Sequence, residues 1–222
     1  MSPAVSPLRP LALALATALL SGCAGLPGAA GPAAPVTPMA AARPGALQQC
    51  AELAAGFRFE HTRLTAAEPV AADALKIAGQ PVGAHCRITG VMHERTSPVD
   101  GQRYAIGFEM RLPQTWNGRF LYQANGGLDG LLVPATGPVG GRGGLTNALQ
   151  QGFAVISSDA GHDVKQLPLF GLDPQARLDY GYQAVAKLTP MAKALVAAGY
   201  GRPADRAYFS GCSNGGRHAF VT

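Results

Sequence analysis

Gly211-Cys212-Ser213-Asn214-Gly215 is the stretch that most restricts how this chain can fold. It follows Arg206 to Phe209, which reads as a strand, and leads into residues that read as the start of a helix. A serine held in Gly-x-Ser-x-Gly between a strand and a helix fits a sharp elbow that raises its hydroxyl above the end of a sheet. A side chain at Gly211 or Gly215 would collide with the turn or block access to the hydroxyl. Ser213 is therefore the candidate nucleophile. A Gly-rich turn of purely structural purpose is the blander reading, and the strand before and helix after argue against it.

The N-terminus reads as an export signal. Arg9 supplies a positive charge, and Leu11 to Leu20 is an apolar run of about ten residues, too short to span a bilayer. Leu20-Ser21-Gly22-Cys23 resembles a bacterial lipobox, which makes Cys23 the candidate lipidation site. Two acyl chains there would give stable anchoring. The alternative is an ordinary signal with a chance cysteine. Residues 1–23 are thus assigned to signal and lipobox, 24–47 to an Ala/Pro/Gly-rich disordered tether, and 48–222 to the folded part. The expected location is exported: lipid-anchored to the outer membrane or cell surface, or else periplasmic or secreted. A lipid anchor would be the one membrane contact.

The 222 residues carry a formal charge of +5, with the basic residues scattered. No Lys/Arg run with interleaved aromatics exists, so nucleic acid is not an expected partner. Hydrophobic residues make up 47%, enough for one sizeable core.

Along the folded part, 47–56 reads as a short helix, and 74–79 and 84–92 as strands. Ser97-Pro98-Val99-Asp100-Gly101 is a turn signal. Tyr104, Ile106, Phe108, Met110 and Leu112 then alternate with smaller or polar residues, which predicts a strand with one buried face. An antiparallel hairpin is expected about Asp100-Gly101. Strands follow at 120–123, 154–157 and 206–209. A helix is expected near 146–151 and another over 179–198, kinked or broken at Thr189-Pro190. Strands alternating with helices predict an α/β fold with a mainly parallel sheet behind the N-terminal hairpin.

Acyl transfer at a serine needs two donors aimed at the developing oxyanion. The backbone N–H of Asn214 is one candidate. The loop after an earlier strand, Asn125-Gly126-Gly127, offers the other, with Gly127 preferred over Gly126. A turn needing positive φ would select glycine equally. No histidine is well placed as the base. His218 follows Ser213 too closely, His162 reads as a hydrogen-bonded loop residue, and His61, His85 and His93 lack metal-ligand spacing. Asp159 and Asp163 precede the serine and fit the triad acid poorly. No metal or cofactor is expected in this segment.

There are four cysteines. With Cys23 lipidated, three remain, and Cys50 with Cys86 is the natural internal pair. Cys212 is left beside the nucleophile without a partner.

The segment Gly211-Cys212-Ser213-x-Gly215-Gly216-Arg217 resembles the elbow of the tannase and feruloyl esterase family of α/β-hydrolases, which includes hydrolases of terephthalate monoesters. Trp116-Asn117-Gly118-Arg119-Phe120, Asn125-Gly126-Gly127, Ser158-Asp159-Ala160-Gly161-His162 and Asp179-Tyr180-Gly181-Tyr182 resemble it too, in the same order. The resemblance thus runs from about Cys50 to the end. Asn214 and His218 depart from it. It implies a carboxylic-ester hydrolase acting on small-molecule esters, plausibly of aromatic acids. It also implies that Cys212 pairs with a cysteine directly after the catalytic histidine. That cysteine, the histidine, the acid and a lid domain, which often holds calcium, would all lie beyond Thr222. The chain then reads as an inactive N-terminal piece of a hydrolase domain. Two other readings are a non-catalytic ligand-binding lipoprotein on a degenerate scaffold and another exported serine hydrolase, such as a polyester depolymerase or a peptidase.

Overall fold

The computed structural model describes residues 40–138 and 147–221. The signal, Cys23, most of the tether, and Gly140, Gly141, Gly143 and Gly144 of the Gly-rich loop lie outside these residues.

Six strands form the main sheet: β1 (Thr62–Val70), β2 (His85–Thr96), β3 (Arg103–Pro113), β4 (Arg119–Ala124), β5 (Ala154–Ser158) and β6 (Arg206–Gly211). Their order is β6-β4-β5-β3-β2-β1. The pairs β6–β4 and β4–β5 are parallel. The pairs β5–β3, β3–β2 and β2–β1 are antiparallel. The α/β class holds, but the sheet is mixed. The N-terminal hairpin grows into a longer antiparallel half, because β1 adds itself to the outside.

The period of two in β3 does what its residues dictate. Ile106, Phe108, Met110 and Leu112 are buried on one face with Ile88, Phe120, Tyr122 and Ile156. Helix α3 (Ala184–Tyr200) covers this face with Leu188, Met191, Leu195 and Val196. Burying a side chain of this size contributes about 1.5–3 kcal/mol. The other face is thinner: Leu121 and Val155 pack under Ala135, Ala148 and Leu149. Cys50, just before helix α1 (Ala51–Gly56), is disulfide-bonded to Cys86 in β2, with a Cα–Cα separation of 5.5 Å. The expected pair forms.

Several elements depart from the sequence reading. Of residues 74–79 only Lys76–Ile77 forms a strand, and it does not join the main sheet. Lys76–Ile77 folds back on Gln80–Pro81, because Ala78 and Gly79 both take positive φ and close a tight hairpin. Strand β1 carries no alternation of apolar residues, which fits its place at the sheet edge with no fully buried position. Residues 147–152 form turns, not a helix. The Asn147 side chain accepts from the Gln150 N–H at 3.0 Å, and Gly152 at φ +83° ends the segment. Pro190 sits inside α3 without breaking it. One lost N–H is outweighed by the buried residues on both sides of it, and α3 runs on to a left-handed cap at Gly201. Ordered chain also begins before residue 48. Gly45–Ala46 pairs with Thr115–Trp116, and Leu47 is buried.

Candidate active site

The parallel strands β4, β5 and β6 end along one edge of the sheet, the edge at which open α/β folds bind ligands. Ser213 stands there, between β6 and helix α4 (Asn214–Phe220). Its backbone has φ 56° and ψ −123°. An L-residue reaches that region only under strain, of order 1–3 kcal/mol, and such strain concentrates at functional sites. Ser213 and Cys212 are both exposed, and Cys212 is a free thiol among the described residues.

The two elbow glycines are sterically required. A Cβ on Gly211 would run into the main chain of Gly215. One on Gly215 would lie 2.6 Å from the carbonyl oxygens of both Ala124 and Asn125. The start of α4 therefore rests directly on the end of β4. The Gly126 position sits across the elbow, where a Cβ would be 3.3 Å from the Cys212 oxygen and 3.8 Å from the Ser213 Cβ. Gly127 follows with φ 69° and open space around its Cα.

Asn214 is the first residue of α4, so its N–H is one of the donors that helix geometry leaves unpaired. The Gly126 carbonyl accepts from the Asp129 N–H at 3.4 Å. The planar trans peptide then turns the Gly127 N–H the opposite way, out of the loop. The sequence-derived residues Ser213, Asn214, Gly211 and Gly215 thus meet at one place, with Gly126 across the elbow and Gly127 next to it in the chain.

Beneath the elbow is a polar cluster that the sequence reading missed. The Asp129 carboxylate, its side chain only 2% exposed, accepts from Asn214 Nδ2 and from His218 Nε2, each at 3.1 Å. Arg217 Nε donates to Asn214 Oδ1 at 2.6 Å. Its Nη atoms donate to the carbonyls of Gly181 and Tyr180. The Tyr180 hydroxyl returns to the Gly127 carbonyl at 3.4 Å. His218 is therefore bound to a carboxylate below the elbow.

His162 is buried. Its Nε2 donates to the Leu128 carbonyl at 2.9 Å and its ring stacks on Phe170. Burial holds it below the usual histidine pKa, so it is neutral and braces the loop. Asp159, after β5, faces away into the sheet, where it accepts from the N–H groups of Gly107 and Gly161. His61, just before β1, lies against His93 on β2, and His85 is hydrogen-bonded to Arg111. Among the described residues no three His, Cys, Asp or Glu side chains gather as a metal site. No residue here is therefore assigned to the calcium ion that the resemblance allows.

A family model described as "Tannase and feruloyl esterase" matches residues 86–222, which include every part of this site. The chain belongs to the tannase and feruloyl esterase family. Within or near that family, it is 46% identical over 145 residues to a mono(2-hydroxyethyl) terephthalate hydrolase of Piscinibacter sakaiensis, covering 62% of this chain and 24% of that protein. It is 33% identical over 115 residues to a probable feruloyl esterase B-2 of Aspergillus flavus, covering 52% and 20%. The crystal structure of feruloyl esterase B from Aspergillus oryzae superposes with a TM-score of 0.62 at 24% identity, over 76% of this chain and 32% of that one. That match confirms the α/β-hydrolase fold. The chain spans about a quarter of the length of the curated relatives it matches.

Proposed function

We propose that the protein is a serine carboxylic-ester hydrolase in which Ser213 is the nucleophile. The observation that carries this reading is the strained Ser213 backbone at the strand–helix junction, between two glycines that leave no room for a Cβ. A binding protein gains nothing from such strain. Ser213 would attack the ester carbonyl. The N–H groups of Asn214 and Gly127 would hold the oxyanion, and water would release the acid from the acyl-enzyme. Esters of aromatic acids are the proposed substrates, supported by relatives named for feruloyl and terephthalate esters.

No histidine of this segment is assigned as the base, so the 222-residue chain alone is proposed not to turn over at an esterase rate. Oxyanion contacts without base and acid keep only a residue of the enhancement. Export through the N-terminal signal with lipidation at Cys23 belongs to the same proposal. No helix among the described residues is long and apolar enough to cross a membrane.

The test is a fluorophosphonate probe on the complete gene product. Labelling abolished by Ser213→Ala supports the reading, and labelling that persists in that variant overturns it.

A further inference from the structure

We infer that Asp129 is the positioning residue that holds the two oxyanion arms in register, an inference that rests on the reading of Ser213 as nucleophile. The two donors come from different elements. Gly127 is on the loop after β4, and Asn214 opens α4. The backbone pairing of β4 with β6 ends at Ala124 and Gly211, and both donors lie beyond it. Asp129 joins the two arms through a single carboxylate oxygen. Oδ2 accepts from Asn214 at the start of α4 and from His218 one turn later, both at 3.1 Å. Residues four apart lie on one helix face, so one oxygen grips the first turn of α4 at two points.

Asp129 is itself fixed. Its backbone has φ +56°, unusual for a non-glycine residue, and its N–H closes on the Gly126 carbonyl at 3.4 Å. That closure orients the peptide whose N–H belongs to Gly127. The adjoining carbonyls are held from behind: Gly127 by the Tyr180 hydroxyl and Leu128 by His162. Gly130 donates its N–H to the Asp159 carbonyl and accepts from the Val164 N–H, which ties the loop to the chain after β5. The contacts close a ring: Gly127 to Tyr180, Tyr180 to Arg217, Arg217 to Asn214, Asn214 to Asp129, and Asp129 back to Gly127 by two residues of chain. Both oxyanion donors sit on this ring, and the Asp129 carboxylate, buried as deeply as His218, is hydrogen-bonded to α4 at both Asn214 and His218.

An oxyanion site works because its donors are in place before charge develops, and a misplacement of about 1 Å can cost on the order of 100-fold. Loss of the Asp129 link should therefore damage turnover more than substrate binding.

The experiment uses the complete gene product, with active sites counted by fluorophosphonate titration. Wild type must label at Ser213. If it does not, the nucleophile reading has failed and not merely this inference. In Asp129→Ala, kcat per titrated site should fall about 10- to 100-fold with KM within a factor of three. The affinity of an arylboronic acid, whose tetrahedral adduct mimics the oxyanion, should fall in proportion to kcat/KM. Asp129→Asn keeps an acceptor for Asn214 and should recover part of both losses. Should Asp129→Ala fail to fold, Asn214→Ala keeps the backbone N–H, removes one of the two Asp129 contacts together with that of Arg217, and should show the same split to a smaller degree. A merely structural role would reduce the number of titrated sites and leave kcat per site and boronate affinity at wild-type values. That result, in labelled enzyme, overturns the inference.

Discussion

A Cβ placed on Gly215 would lie 2.6 Å from the carbonyl oxygen of Ala124, the last residue of β4. Helix α4 is thus seated against β4 with no allowance for even one methyl group. Both the Ser213 hydroxyl and the Asn214 N–H take their height above the sheet from this contact. Gly215→Ala should force α4 outward, destabilise the protein by about 1–3 kcal/mol, and lower kcat by on the order of 100-fold. Gly101→Ala, in the turn between β2 and β3 at φ +70°, is the control. Its Cβ meets open space, so its cost is the left-handed backbone alone, about 1–2 kcal/mol. Urea denaturation and the rate of fluorophosphonate labelling separate the two. Equal labelling rates in both variants would show that the close seating is unimportant.

The elbow, the Asn125-Gly127 loop and the Cys50–Cys86 bridge were legible in the sequence because each is carried by a few residues with one stereochemical purpose. A glycine that must lie against a carbonyl, or a cysteine that must find a thiol, announces itself. The β3 strand was legible for another reason, since one buried face imposes a period of two. Strand β1 was not, because an edge strand buries too little to impose any pattern. The ring beneath the elbow was invisible too. Asp129 meets Asn214 and His218 from 85 and 89 residues away, and Leu128-Asp129-Gly130 reads alone as an ordinary turn. Pro190 misled because propensity sees the missing N–H and not the packed surroundings.

The disulfide between Cys50 and Cys86 closes a loop with a sequence separation of 36. It ties α1, which buries little besides Leu53, to the centre of the antiparallel half. In the chain-entropy model a loop of this length is worth about 4 kcal/mol, and measured losses on removing native bridges run about 2–5. The double variant Cys50→Ala, Cys86→Ala should lose about 2–4 kcal/mol in urea denaturation while the elbow keeps its labelling rate. A loss of labelling at unchanged stability would mean that the bridge acts on the site and not on the fold.

Arg95 and Asp173 form a bidentate pair at 2.9 and 2.5 Å, with Asp173 almost fully buried. Asp173 also caps the short helix α2 (Pro174–Leu178) through the Ala176 N–H. Hydrogen bonding to Arg95 holds its carboxyl well below the ordinary aspartate range. Arg95→Ala strands that carboxylate without its countercharge and should cost about 3–5 kcal/mol at neutral pH. A folded pKa below the unfolded one gives stability that is present above about pH 4 and lost on acidification. The penalty of Arg95→Ala should therefore shrink as pH falls from 5 toward 2. A penalty that stays constant over that range would assign it to lost packing of the arginine on Tyr104.

Asp159 has the opposite sign. Burial pushes its carboxyl up to about 7, against the pull of the Gly107 and Gly161 N–H groups. An unfolded aspartate titrates near 4. Between about pH 4 and 7 the folded protein keeps a proton that the unfolded chain has released, so this group's contribution to stability declines as pH rises through that window. Asparagine imitates the protonated side chain. The stability of Asp159→Asn relative to wild type should rise by about 2–3 kcal/mol between pH 5 and pH 8, at roughly 1.4 kcal/mol per pH unit up to about pH 7. Urea denaturation at the two pH values decides it. Parallel pH dependence in the two proteins would mean that Asp159 is already ionised at pH 5 and that its two backbone donors outweigh its burial.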